Sequence, residues 1–309
     1  METKSKSNVI WWLKKGFRLS DNPALTAALA RGLNVVPIFV IEPSATSAKT
    51  APETSAFHVA AWLEAVKGLR KRLRAVGGDL SVLHGEVVDV FQELKQRIDF
   101  NHVVSHEEVG TWRTFERDRA FGAWCNGNQV VWEEHRQTGV FRRFNDRDKR
   151  TIVWNQWMNQ GPLPAPAKLE LKRVRVPEKV FEIQTAPARQ PLLKSFGFEM
   201  DQKSRRLRQK VTESAAFETL DSFLNQRGVA YSGGISSPNS AFTAGSRLSV
   251  HLAWGTITGR EIFTATNQRM EHLKSSDIPD VGQWRRSLNS FRSRLHWRRI
   301  IGDRPTFSF

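Results

Sequence analysis

The sequence predicts an α/β fold with a five-stranded parallel sheet, followed by a long linker and a helical second part. Short apolar runs alternate with amphipathic helical patterns from Val9 to Trp132, which is typical of βαβ units with right-handed crossovers. Six of the 13 prolines then fall between Gly161 and Pro191, where they exclude helix interiors. Beyond them only helical patterns recur.

The first predicted strand is the apolar run 9–13, and the first helix follows Ser20-Asp21-Asn22-Pro23. A capping side chain followed by proline is a helix-start signal, and Gly32 ends this helix. A later helix carries an apolar stripe and runs to Gly77. The stripe consists of Phe57, Ala60, Leu63, Val66, Leu69 and Leu73. The remaining predicted strands span 35–41, 80–83, 102–105 and 129–132, and the remaining helices span 87–96 and 113–124.

Ligands of parallel α/β sheets bind at the carboxyl ends of the strands. The charged residues that directly follow predicted strands are Lys14, Lys15, Glu42, Glu107 and Glu108. For any one of them a solvated loop position is the simpler interpretation. The sequence lacks the G-x-G-x-x-G and G-x-x-x-x-G-K-[ST] phosphate loops, so the usual dinucleotide and nucleoside triphosphate sites are excluded.

The predicted domains are residues 1–140, a linker over 141–205 and a helical domain over 206–309. In the last, a helix over 213–226 precedes a turn-rich stretch, and Gly245-Ser246-Arg247-Leu248-Ser249 opens another helix. Glycine allows close backbone approach, the serines bring hydroxyls and the arginine brings a cation, a combination that suits a phosphate. The alternative is that serine only caps the helix.

The net charge is +16, with +5 in residues 1–150 and +11 in residues 151–309. A positive field favours a polyanion such as nucleic acid, although a basic surface can also serve only solubility. Cys125 is the single cysteine, so this chain cannot ligate an iron–sulfur cluster. No apolar run approaches the roughly 20 residues of a membrane span, and no signal-peptide pattern is present. We therefore expect a cytoplasmic monomer with no membrane partner.

Four stretches, in order, carry a resemblance to a known family. They are WWLKKGFRLSDNPAL (11–25), VVPIFVIEP (35–43), GSRLSVHLAWG (245–255) and SFRSRLHWRR (290–299). Together they resemble the DNA photolyase/cryptochrome family, and the last is closest to the bacterial branch that carries an iron–sulfur cluster. The resemblance extends from about residue 8 to residue 298.

This resemblance implies a Rossmann-like antenna domain, a linker and an all-α domain that holds FAD. In the family, excited reduced FAD donates an electron to a pyrimidine dimer that is flipped out of duplex DNA. The cofactor carries out this carbon–carbon lyase reaction. Related members of the family sense blue light. UV-damaged DNA is the implied partner, and Trp297 matches the lesion-side tryptophan, with a core tryptophan as the alternative. The implied FAD residues are Tyr231, Gly245, Ser246, Arg247, Leu248, Ser249, Phe291, Arg294 and Arg298.

Two departures from the family pattern stand out. Gly16 replaces an aspartate of the antenna crevice, where the implied pigment is a ribityl lumazine near Lys15, Glu42 and Glu107. The chain also stops eleven residues after Arg298, without the family's further helices. It therefore reads as a C-terminally truncated member, with an incomplete FAD domain and low catalytic competence.

Three interpretations of function stay open at this point. The first is a flavoprotein that retains FAD and DNA binding. The second is a non-catalytic remnant, and the third is a basic nucleic-acid-binding module without flavin. Flavin absorbance separates the first from the other two.

Overall fold

The computed structural model describes residues 7–142, 146, 148–169, 171, 181–182, 193–201, 208–275 and 277–302, without the side chains of 181–182 and 298–302. The side chain of Arg298, one of the predicted FAD residues, therefore lies outside the described part. The chain divides into two compact units. The sheet unit contains residues 1–136 and 165–212, and the helical unit contains residues 137–164 and 213–309.

The sheet unit contains the five parallel strands that the sequence predicts. Their order is β5-β4-β1-β2-β3, and a two-residue strand β6 adds to β3 in the antiparallel direction. The strands are β1 (Asn8–Leu13), β2 (Asn34–Ile41), β3 (Ser81–His84), β4 (Phe100–His106), β5 (Val131–His135) and β6 (Phe181–Glu182). The chain order reverses between β1 and β4, so the ligand crevice of this fold lies beyond their carboxyl ends.

Burial of both sheet faces explains why β1 and β2 read as continuous apolar runs rather than alternating ones. Five of the six residues of β1 and seven of the eight of β2 are buried. Helices alternate with these strands up to residue 127. They are α1 (Pro23–Ala30), α2 (Pro43–Thr46), α3 (Ala56–Ala75), α4 (Val87–Arg97) and α5 (Trp112–Gly127).

The start of α1 confirms the predicted capping signal. The Asn22 side-chain oxygen accepts a hydrogen bond from the Leu25 N–H at 3.0 Å, and Pro23 occupies the first helical position. Gly32, at φ +65°, ends the segment in the left-handed region. The predicted stripe of α3 is buried from Ala60 onward, but the prediction for Phe57 is wrong, because this residue lies in the first turn, ahead of the buried residues, and is half exposed.

The helical unit begins earlier in the chain than the predicted helical domain. Helix α6 (Arg150–Asn159) falls inside the stretch predicted as linker, yet its buried Trp154 and Met158 join the core of this unit. The other helices are α7 (Glu213–Asn225), a 3-10 helix (Arg227–Ala230), α8 (Tyr231–Gly234), α9 (Pro238–Ala244), α10 (Ser249–Trp254), α11 (Gly259–His272) and α12 (Val281–Gly302). Among the described residues, no helix has the length and apolar character that crossing a membrane requires.

Candidate functional site

The segment from Gly245 to Ser249 links α9 to α10 through an unusual backbone turn. Arg247 has φ +61°, in the left-handed region, and Leu248 follows at φ −89° and ψ −3°. A left-handed residue followed by a right-handed one turns successive N–H groups toward one concave side, which is an anion-binding arrangement called a nest. A non-glycine residue in this conformation costs on the order of 1 kcal/mol, so the surrounding contacts must hold it.

The two serines of this segment do not act as helix caps. The residue that caps α10 is Leu248, and no side chain caps that helix. Neither the Ser246 nor the Ser249 hydroxyl has a hydrogen-bond partner among the residues that the structure describes. The capping alternative therefore does not account for these serines, and both hydroxyls remain available to a ligand.

Glycine at position 245 has a packing reason of its own. A Cβ atom there would lie 2.6 Å from the Ala241 carbonyl oxygen at the end of α9, and its φ of −66° needs no glycine. Close approach of a ligand, the reason that the sequence suggested, is therefore not needed to explain this residue.

Arg227 is a residue of this site that the sequence analysis missed. Its guanidinium donates to the carbonyls of Gly245 and Ser246, the latter at 2.7 Å. The two carbonyls lie 18 and 19 residues along the chain, so only the tertiary fold brings them to the arginine. In the sequence itself, only the position of this cation four residues before Tyr231 pointed to a role in the site.

Tyr231 and Phe291, two of the predicted FAD residues, contact each other inside the core of the helical unit. Their ring centroids are 5.5 Å apart, and both rings contact Phe223 edge-on at 5.4 and 4.7 Å. Burial raises the pKa of Tyr231, while the nearby Arg294 lowers it. These three aromatic residues belong to the same buried core cluster as Leu248 of the segment.

Trp297 lies on the surface of α12, so the alternative of a core tryptophan is wrong. Its side chain is 60% exposed, and the Arg294 guanidinium lies 5.5 Å from its ring centroid. A second exposed ring, Phe242, carries Arg247 at 4.0 Å. Each of these two rings is thus paired with a cation, an arrangement suited to stacking against a nucleic acid base.

An open pocket of about 650 Å³ lies in the helical unit beside α8 and α9. Two arginines, Arg227 and Arg286, and several hydroxyl groups line it, and no carboxylate is among its described lining residues. The lining is completed by Val229, Ala230, Ser232, Gly233, Gly234, Ser240, Thr243, Ala244 and Gln283. This combination of charge and hydrogen-bonding groups suits a phosphate-bearing ligand.

The crevice of the sheet unit is occupied by a network of ion pairs. Arg117 donates to Glu42 at 3.0 Å and to Glu108 at 2.6 Å, and Lys15 reaches the other oxygen of Glu108 at 3.0 Å. Glu107 lies at the side, 3.7 Å from Arg136. The predicted antenna residues Lys15, Glu42 and Glu107 are thus all engaged in ion pairs within the protein.

Two carboxyl groups in this network have pKa values shifted in opposite directions. It raises the pKa of Glu42 to about 7, although Arg117 lowers it. Burial would also raise the pKa of Glu108, but Lys15, Arg117 and Lys14 outweigh it and hold that pKa below its ordinary value. Glu108 is therefore the ionised partner of Arg117, whereas Glu42 titrates at about pH 7.

Gly16, where the family pattern has aspartate, adopts φ +90°. L-residues rarely adopt this conformation, so glycine is the residue that this turn favours.

Comparison with known proteins agrees with this architecture. The family described as DNA photolyase matches residues 9–149. A deoxyribodipyrimidine photo-lyase of Agrobacterium fabrum is 26% identical over 307 residues, covering 94% of this chain and 57% of that protein. An uncharacterized 31.6 kDa protein of a Synechococcus strain is 25% identical, covering 94% of this chain and 97% of that protein.

Among solved structures, a bacterial class III photolyase from Agrobacterium tumefaciens superposes with a TM-score of 0.76 at 20% identity. The match covers 98% of this chain and 60% of that one. At this identity the likeness establishes the fold. The chain thus spans about 60% of the length of these two photolyases and nearly all of the Synechococcus protein.

Proposed function

The chain belongs to the DNA photolyase/cryptochrome family, and from this premise we propose that it is a flavoprotein that holds FAD by its diphosphate at residues 245–249. The observation that carries the proposal is the nest at Arg247 and Leu248, with two unbonded serine hydroxyls beside it. Backbone N–H groups, hydroxyls and arginines are the groups that bind phosphate oxygens. The residues present therefore fit the diphosphate.

In this proposal each residue has a separate task. The backbone of Arg247 and Leu248 and the hydroxyls of Ser246 and Ser249 bind phosphate oxygens. Tyr231 and Phe291 close the wall behind them and exclude water. When bound, FAD supplies light-driven one-electron transfer, the chemistry by which family members repair pyrimidine dimers or sense light.

We further propose DNA as the partner of the helical unit. Support comes from the net charge of +11 over residues 151–309 and from the exposed Trp297 with its neighbouring Arg294. The cytoplasmic location and monomeric state that the sequence predicts remain part of the proposal. An antenna ribityl lumazine fits less well, because Lys15, Glu42 and Glu107 already pair with other residues.

Flavin binding tests the first part of the proposal. We expect the purified chain to bind FAD, and the double variant Ser246→Ala/Ser249→Ala to bind it at least tenfold more weakly, because hydrogen bonds to charged groups contribute about 1.5–3 kcal/mol each. Affinity is measured by fluorescence quenching of added FAD. The control is Ser236→Ala, an exposed serine outside the segment. Equal affinities of the double variant and the wild type would contradict the assignment of this segment.

DNA binding tests the second part. We expect affinity for duplex DNA to fall with salt, with a slope of about 0.9 per phosphate neutralised. Trp297→Ala should weaken binding to a duplex that contains a pyrimidine dimer by roughly 5- to 150-fold, because stacking of a base on an aromatic side chain contributes about 1–3 kcal/mol. The matched control is Trp112→Ala, a similarly exposed tryptophan of the sheet unit. Unchanged binding of the Trp297 variant would remove this residue from the interface.

A further inference from the structure

Arg227 connects two separate segments of the helical unit. Besides the carbonyls of Gly245 and Ser246, its guanidinium donates to the Thr219 carbonyl of α7 at 3.1 Å and to the Ser222 hydroxyl at 3.3 Å. The guanidinium carbon also lies 5.4 Å from the Phe223 ring centroid. One side chain therefore ties the turn between α9 and α10 to the body of α7.

The direction of these hydrogen bonds fixes the direction of the backbone N–H groups of the turn. A trans peptide unit is planar, and its C=O and N–H point in opposite directions. Because the Gly245 and Ser246 carbonyls point at Arg227, the N–H groups of Ser246 and Arg247 point away from it. Arg227 thus sets the direction of these N–H groups through its hydrogen bonds to the two carbonyl groups.

Arg227 has no acidic partner among the described residues, because no carboxylate there forms an ion pair or hydrogen bond with it. Its side chain also lines the 650 Å³ pocket. Burial lowers the pKa of Arg227, and the positive charge of Arg247 lowers it further. The contacts of its guanidinium within the described residues are therefore the carbonyl and hydroxyl oxygens named above and the Phe223 ring.

We infer that Arg227 is the positioning residue of the diphosphate site: it holds the Gly245 and Ser246 carbonyls so that the nest is formed before the ligand arrives. This inference rests on the proposed function and adds a residue and a mechanism to it. Preorganisation of this kind lowers the cost of ordering the segment upon binding. Arg227 acts through the backbone of the segment and contacts no part of the ligand.

The experiment uses ADP and adenosine as probes, measured by calorimetric titration of the full chain. ADP carries the diphosphate, and adenosine lacks it, so the ratio of the two affinities reports the nest alone. We expect the wild type to prefer ADP. Arg227→Gln should reduce ADP affinity about tenfold or more, as expected for lost hydrogen bonds to a charged group, and leave adenosine affinity unchanged. A purely structural defect would weaken both.

Two further variants complete the design. Arg227→Lys keeps the charge, but an ammonium group cannot reproduce the planar fork that reaches several carbonyls, so we expect ADP affinity to fall as in the glutamine variant. Arg285→Gln removes an exposed charge from α12 and serves as the control for net charge.

ADP affinity that is unchanged in Arg227→Gln, or restored in Arg227→Lys, would overturn the inference. If Arg227→Gln does not fold, the lysine variant alone decides. A wild type with no preference for ADP over adenosine would instead overturn the proposed function.

Discussion

Replacing Trp154 with alanine should lower the free energy of unfolding of the helical unit by about 3–5 kcal/mol. Its side chain is 1% exposed and contacts Phe263 edge-on at 5.6 Å and His296 at 3.7 Å between ring centroids. The backbone of Gly139 packs so closely that a Cβ atom there would lie 2.5 Å from the Trp154 Nε1 atom. Removal of the indole would leave a cavity that these neighbours cannot fill.

The measurement is urea unfolding followed by far-UV circular dichroism. Trp297→Ala is the control in the same unit. This tryptophan is 60% exposed, so its removal should cost less than about 0.5 kcal/mol. If the Trp154 variant and the wild type had equal unfolding midpoints, α6 would not belong to the core of the helical unit.

Replacing Glu42 with glutamine should remove a pH dependence from the stability of the sheet unit. The folded pKa of Glu42 is about 7, above its ordinary 4.5. Between these pH values the unfolded chain loses the proton and the folded chain keeps it, so stability falls as pH rises. Such a difference in pKa corresponds to roughly 3 kcal/mol. Glutamine resembles the protonated form and does not titrate.

We therefore expect the Glu42→Gln variant to match the wild type at about pH 4.5 and to exceed its stability above about pH 7. Denaturant unfolding at both pH values provides the measurement. Glu107→Gln is the matched control, a carboxylate at the edge of the same crevice. A variant less stable than the wild type at the higher pH would mean that Glu42 is ionised and that its ion pair with Arg117 stabilises the fold.

The sheet unit was predictable because its signals are local. Each of the five strands is a short apolar run, and the start of α1 is encoded by Asn22 and Pro23 as neighbours in the sequence. Helix α6 was not predictable in the same way. Its buried residues, Trp154 and Met158, form a stripe only two side chains long, and Ile152 beside them is exposed, so the helix shows no amphipathic period.

In the candidate site, too, the local features were predictable from the sequence and those that depend on tertiary packing were not. The composition of residues 245–249 indicated a phosphate segment, because hydroxyls and a cation stand together there in the sequence. The contribution of Arg227 depends on a backbone conformation and on hydrogen bonds across 18 and 19 residues. Burial of Tyr231 and exposure of Trp297 also depend on how α8 and α12 pack, which spacing alone does not specify.

The division of the chain has a consequence for its synthesis on the ribosome. Residues 137–164 of the helical unit are synthesised before residues 165–212 of the sheet unit. The sheet unit is therefore still incomplete when synthesis of the helical unit begins. Helix α6 then waits for its partner α11, about 100 residues later, which takes roughly 5–20 s at ordinary rates of translation. During that interval Trp154 and Met158 lack the residues of α11 and α12 that pack with them in the folded core. We expect chaperone binding at this stage to protect the nascent chain from aggregation.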